Sequence, residues 1–121
     1  SFNDVVEVKT DIRTKEYKEW KLSPFEDYNE RGDVIQVLLD NGWEEIKSSG
    51  RSIRLKRAGH THSKSSALFD TETRIFNCFS TSTIFSVNRG YTPADVLAEL
   101  EFDGDMSKTF KYLISEDFGK Q

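Results

Sequence analysis

Two histidines, a single cysteine and a run of cations are the parts of this sequence whose types and spacing could do chemistry. His60-Thr61-His62 and Cys78 offer imidazole and thiol donors, the groups that hold zinc. Two imidazoles at i and i+2 need further ligands for a closed tetrahedral site, and a thiolate-rich set is excluded by the one cysteine. The nearby acids, Asp70 and Glu72, fall in a turn-like stretch, and histidines in a polar loop are the simpler reading. Cys78 with a histidine is a thin basis for nucleophilic catalysis, because Cys78 sits in an apolar strand-like run where a thiol is inert. Asp103 and Asp105 could hold a divalent cation, yet they also explain themselves as turn and helix cap. There is no serine-nucleophile elbow, phosphate-binding glycine loop or dinucleotide fingerprint. The expectation is no catalytic residue, no metal and no cofactor.

The cations are more informative. Between Ile46 and Phe69 there is no acid, while Lys47, Arg51, Arg54, Lys56, Arg57 and Lys64 all fall there. That leaves eleven basic residues against 21 acidic ones elsewhere, a balance of −10 in a chain of net charge −4. A basic segment in an acidic protein is a local footprint for an anion, or else the solvated face of a hairpin. Ser63, Ser65, Ser66 and Ser80 to Thr83 add hydroxyls suited to phosphate oxygens. Phe76, Phe79, Phe85 and Tyr91 interleave with this charge, and bases stack on such rings where they are exposed.

The elements that must position these residues follow from periodicity and punctuation. At 121 residues, 36% hydrophobic and 12% aromatic, the chain suits one domain with one core. No apolar run reaches the roughly 20 residues of a membrane span, and no secretory leader is evident, so a cytoplasmic location is expected. Residues 1–28 read as an extended N-terminal arm or linker, with a short strand at Val5, Val6 and Val8 and anchors at Tyr17, Trp20, Leu22 and Phe25. Residues 29–121 read as the domain. A helix over Asp33 to Asn41 carries Val34, Val37 and Leu38 on one stripe and stops at Asn41-Gly42. A hairpin turns at Gly50, with Ile53 and Leu55 alternating against Arg54 and Lys56. A polar linker leads to a second hairpin, Ser66 to Phe69 and Arg74 to Phe79. Thr92-Pro93-Ala94-Asp95 is a capped helix start, and a last helix runs from about Ser107 to Ser115. The fold class expected is α+β, a small antiparallel sheet of two hairpins packed with three helices.

This order of features resembles the zinc-ribbon domain at the front of bacterial and phage DNA primases. Asp33-Val34-Ile35-Gln36-Val37-Leu38-Leu39 matches its opening, while Tyr91-Thr92-Pro93-Ala94-Asp95-Val96 and Glu101-Phe102-Asp103-Gly104-Asp105 stand where its closing helices begin. The family's ligands come as Cys-x-x-His and Cys-x-x-Cys. Aligning Cys78 with the first cysteine of the second pair puts His60 on the family's histidine, and Arg57 and Thr81 on two thiolate positions. The likeness is therefore to a degenerate, zinc-less form. Ser63-x-Ser65-Ser66-Ala67, Phe79-Ser80-Thr81-Ser82-Thr83 and Gly90-Tyr91-Thr92-Pro93 also resemble metal-free modules in primase-helicase replication proteins of phages, plasmids and mobile elements.

The resemblance implies a non-enzymatic module of a DNA replication protein, presenting single-stranded DNA, or an RNA primer, to a neighbouring primase or helicase domain. Lys47, Arg51, Arg54, Lys56, Arg57 and Lys64 would be the nucleic-acid-binding residues. The alternative is a protein-interaction module in a replication complex, using the acids Asp95, Glu99, Glu101, Asp103 and Asp105 around the penultimate helix. A third class, a small hydrolytic or metal enzyme, would rest on His60, His62 and Cys78.

Overall fold

The computed structural model describes residues 21–59 and 65–119. The strand expected at Val5–Val8, the anchors Tyr17 and Trp20, and His60, His62, Ser63 and Lys64 lie outside the described residues. Helix α1 spans Pro24–Arg31 and α2 spans Val34–Asp40. Five strands follow, β1 Glu44–Ser49, β2 Ser52–Lys56, β3 Ala67–Asp70, β4 Ile75–Cys78 and β5 Gly90–Tyr91. Helices α3, Pro93–Phe102, and α4, Met106–Ser115, close the chain.

The α+β class expected from the sequence is the class observed, but the element count differs. Helix α1 crosses the boundary placed at Tyr28, so the arm cannot be extended up to that residue. The helix carries little periodic apolar signal and is specified by its start. Ser23 accepts from the Glu26 amide while the Glu26 side chain accepts from the Ser23 amide, and Pro24 occupies the first turn. Tyr28 is buried against α3 and α4, and that burial pushes its hydroxyl pKa up. The two hairpins also do not stand apart. Strands β2 and β3 pair across the linker, giving one antiparallel meander in the order β1-β2-β3-β4-β5.

One face of this sheet makes the core. Leu55, Ala67, Phe69, Phe76, Cys78 and Tyr91 pack with Val34, Leu38, Trp43, Phe85 and Val96. Trp43, Phe76, Phe85 and Tyr91 meet edge to face at 4.9–5.9 Å between centroids. Helix α3 works on two sides, giving Val96 to the sheet and Ala94 and Leu97 to a second cluster with Tyr28 and Leu113. Its start follows the sequence expectation: Thr92 caps the Asp95 amide and Asp95 caps back, with Pro93 behind. Buried Asp27 closes the helical side, taking Arg31 Nε and Nη2 at 2.8 and 3.0 Å and the Gly119 amide at 2.7 Å.

The β3–β4 turn fixes the far end of the sheet. The Asp70 carboxylate accepts the Glu72 and Thr73 amides, and its carbonyl accepts the Arg74 amide. Arg74 sits in the left-handed region at φ 61°, a conformation that costs a non-glycine residue about 1 kcal/mol or more. Its guanidinium offsets this by donating to the carbonyls of Asn29 and Gly32, tying the turn to α1 and its end.

Candidate nucleic-acid interface

Strand pleating sorts the basic segment onto two faces. Along β2, Leu55 points into the core and Arg54 and Lys56 point the other way, as the alternation required. Strand β1 does not alternate cleanly, and a bulge explains how it joins the same face. Glu45 pairs with Leu55, but Lys47 pairs with Arg54, leaving Ile46 as the extra residue. Without the bulge Lys47 would stand opposite Ile53, on the core side, because a one-residue slip inverts every side chain beyond it. With it, one row across the outer face reads Lys47, Arg54, Leu68, Asn77 and Gly90.

Charge pairing then divides the six expected cations. Arg51 is drawn into the β3–β4 turn, with Nε 3.1 Å from Asp70 and Nη1 2.8 Å from Glu72. The Asp70 carboxyl is held below its ordinary range, first by the Thr73 amide, then by the Glu72 amide and the Arg51 charge. Lys56 Nζ lies 3.3 Å from Glu44. Lys47, Arg54 and Arg57 have no ion-pair partner among the described residues. Lys64 lies outside them.

The aromatic candidates separate as sharply. Phe76 is fully buried, and Phe85 and Tyr91 are core. Phe79 is 58% exposed. Its amide donates to the Ser66 carbonyl, extending the β3–β4 ladder by one residue, so alternation beyond buried Cys78 places its ring on the outer face. The Ser66 hydroxyl in turn accepts the Arg57 amide at 3.1 Å, which sets Phe79 and Arg57 at the same end of the sheet.

Several hydroxyls expected to meet phosphates are already occupied. Ser66 is buried, Ser80 Oγ accepts the Ser82 amide, and Thr83 Oγ1 accepts the Phe85 amide while lying 3.3 Å from Cys78 Sγ. Thr81 and Ser82 remain exposed. Beside them, a cavity of about 170 Å³ opens between the end of β2, the loop after β4 and the end of α3. Trp43, Leu100, Arg57, Ser82 and Ile84 line it.

The other candidates are placed too. Cys78 is buried, donating weakly to the Ser80 carbonyl, as a core thiol should. Asp103 takes the left-handed conformation after α3, and Asp105 caps α4. On the acidic helix, Asp95 is used by the capping box and by Arg89 at 3.4 Å, and Glu101 accepts from the Asn41 side chain at 2.7 Å. Among the described residues no group of three or more His, Cys, Asp or Glu could hold a metal ion, and no helix is long and apolar enough to cross a membrane.

Sequence reasoning missed the bulge. Its only trace is the broken alternation in Glu44-Glu45-Ile46-Lys47, where two acids stand side by side. Comparison with protein-family models, curated proteins and solved structures finds no match.

Proposed function

We propose that this chain is a non-catalytic nucleic-acid-binding module that holds a single strand across the outer face of its sheet. The observation that carries the reading is the cross-strand pair Lys47 and Arg54, two like charges directly opposite one another, neither with an ion-pair partner among the described residues. Such a pair opposes folding, and a bulge is needed to create it. A phosphate backbone supplies the missing counter-charge, and Phe79 at the end of the same face supplies a ring on which a base can stack. A protein-docking role for the acidic helix has less support, since the carboxylates of Asp95 and Glu101 already have partners within the domain. In the setting that the primase-like order of elements implies, the strand is template DNA and the neighbouring domain is a primase or helicase.

The test is fluorescence anisotropy with a labelled thymidine 20-mer at about 50 mM salt. Binding is expected in the micromolar range or weaker, as for a small electrostatic contact. Phe79→Ala removes a ring that the core does not use, and stacking contributes about 1–3 kcal/mol per base. Affinity should therefore fall at least about fivefold while the melting temperature holds. No binding by the wild type, or full affinity in Phe79→Ala, overturns the reading.

A further inference from the structure

Arg57 is half-buried beside an apolar cavity and has no ion-pair partner among the described residues. Its amide is spent on Ser66, and the residue itself lines the cavity, so a charged side chain stands beside an apolar wall. Trp43 and Leu100 supply an apolar lining, and Ile84, 60% exposed, stands at the mouth. An exposed isoleucine beside a half-buried, unpaired arginine fits a site that takes something both flat and anionic.

The dimensions narrow this further. At about 170 Å³ the cavity is well below the roughly 300 Å³ of the smallest ordinary ligand pockets, so it admits one ring system and not a folded dinucleotide. Its position narrows it again. The Ser66 contact joins Arg57 to Phe79, so the cavity and the exposed Phe79 ring lie at the same end of the sheet.

We infer that the cavity is a pocket for one nucleotide unit of the bound strand, with the base against Trp43 and Leu100 and its phosphate outside on Arg57. The hydroxyl of Ser82, which makes no hydrogen bond within the described residues, is available to an edge of the base. The inference rests on the reading of the outer face as strand-binding, and it adds a discrete base site to what would otherwise be a continuous track. Such a site gives the module a fixed register on the strand, because stacking on Phe79 alone tolerates sliding.

The experiment is an NMR titration of the full chain with a deoxynucleoside monophosphate, the matching deoxynucleoside and inorganic phosphate in parallel. The monophosphate should shift the amides of Ser82 and Thr83 and the methyl groups of Ile84 in a saturable way. The nucleoside should do so more weakly, and phosphate alone should leave Ile84 unmoved. Ser82→Phe, which fills the mouth from an exposed loop position, should weaken the thymidine 20-mer about tenfold without changing the salt slope. Arg57→Gln should abolish the advantage of the monophosphate over the nucleoside. If no monophosphate shifts Ser82 to Ile84 while the 20-mer still binds, the pocket is overturned and the face reading stands. If the monophosphates saturate there but the 20-mer does not bind, the pocket stands and the face reading fails.

Discussion

Replacing Lys47 and Arg54 together by Gln should move stability and binding in opposite directions. The two residues face each other across β1 and β2, and neither has an ion-pair partner among the described residues. Like charges directly opposite oppose pairing by a few tenths of a kcal/mol to about 1 kcal/mol, so K47Q/R54Q should melt about 1–4 °C higher. Glutamine keeps part of each aliphatic stem, which limits any loss of cover over half-buried Leu68. Binding should respond the other way. With Lys47, Arg54 and Arg57 each on a phosphate, the log–log salt slope for single strands is about −2, and between 50 and 200 mM salt affinity falls about 18-fold. With Arg57 alone the slope is about −0.7 and the same step costs less than about threefold. Anisotropy titrations at four salt concentrations, with thermal melts on the same samples, measure both. A double variant with the wild-type slope would show that these charges never meet phosphate. A melting point several degrees lower would show that they are not an uncompensated pair, and the argument for the face would fail with it.

The remaining predictions concern what holds the face in place. Cys78→Ala should lower stability by about 1–2 kcal/mol in urea, through lost packing at a fully buried position, and leave oligonucleotide affinity of the folded protein unchanged. Loss of binding in a folded variant would give the thiol a further role. Arg74→Ala should destabilise by about 2–4 kcal/mol, losing two charge-assisted bonds to Asn29 and Gly32 while keeping the left-handed strain. Arg74→Gly should recover about 1 kcal/mol of that loss, because only the strain is relieved; equal stabilities would contradict the account. The depressed Asp70 carboxyl contributes stability that is complete above its unfolded pKa of about 3.9 and is lost as pH falls through the lower folded value. Melting curves of Asp70→Asn should therefore fall less steeply below about pH 4 than those of the wild type, and parallel curves would assign the acid limb elsewhere.

Much of this molecule is written locally. The start of α3 is legible because Thr92, Pro93 and Asp95 satisfy their own backbone, and no distant residue is needed to recognise a capping box. The stop at Asn41-Gly42, the alternation of Arg54 and Lys56 against Leu55, and the α+β class are local in the same sense. Helix α1 is carried by the same capping chemistry at Ser23 and Glu26, and it was hidden because Phe25 and Tyr28 are its only large apolar residues. What pairing decides lies further off. The register of β1 against β2, and so the side on which Lys47 falls, depends on which residue the ladder leaves out, and a single Ile46 inverts the answer. The fate of the rings is also tertiary. Phe76 and Phe79 lie three residues apart in one apolar run, yet Phe76 fills the core and Phe79 stands in solvent, because the strand has two faces and helix α3 covers only one. Charge behaves likewise. A sequence shows six cations between Ile46 and Phe69, but only folding brings Asp70 and Glu72 to Arg51 and Glu44 to Lys56, leaving Lys47, Arg54 and Arg57 unpaired among the described residues. Coulomb energy depends on distance in space, and the chain sets that distance only when the strands have met.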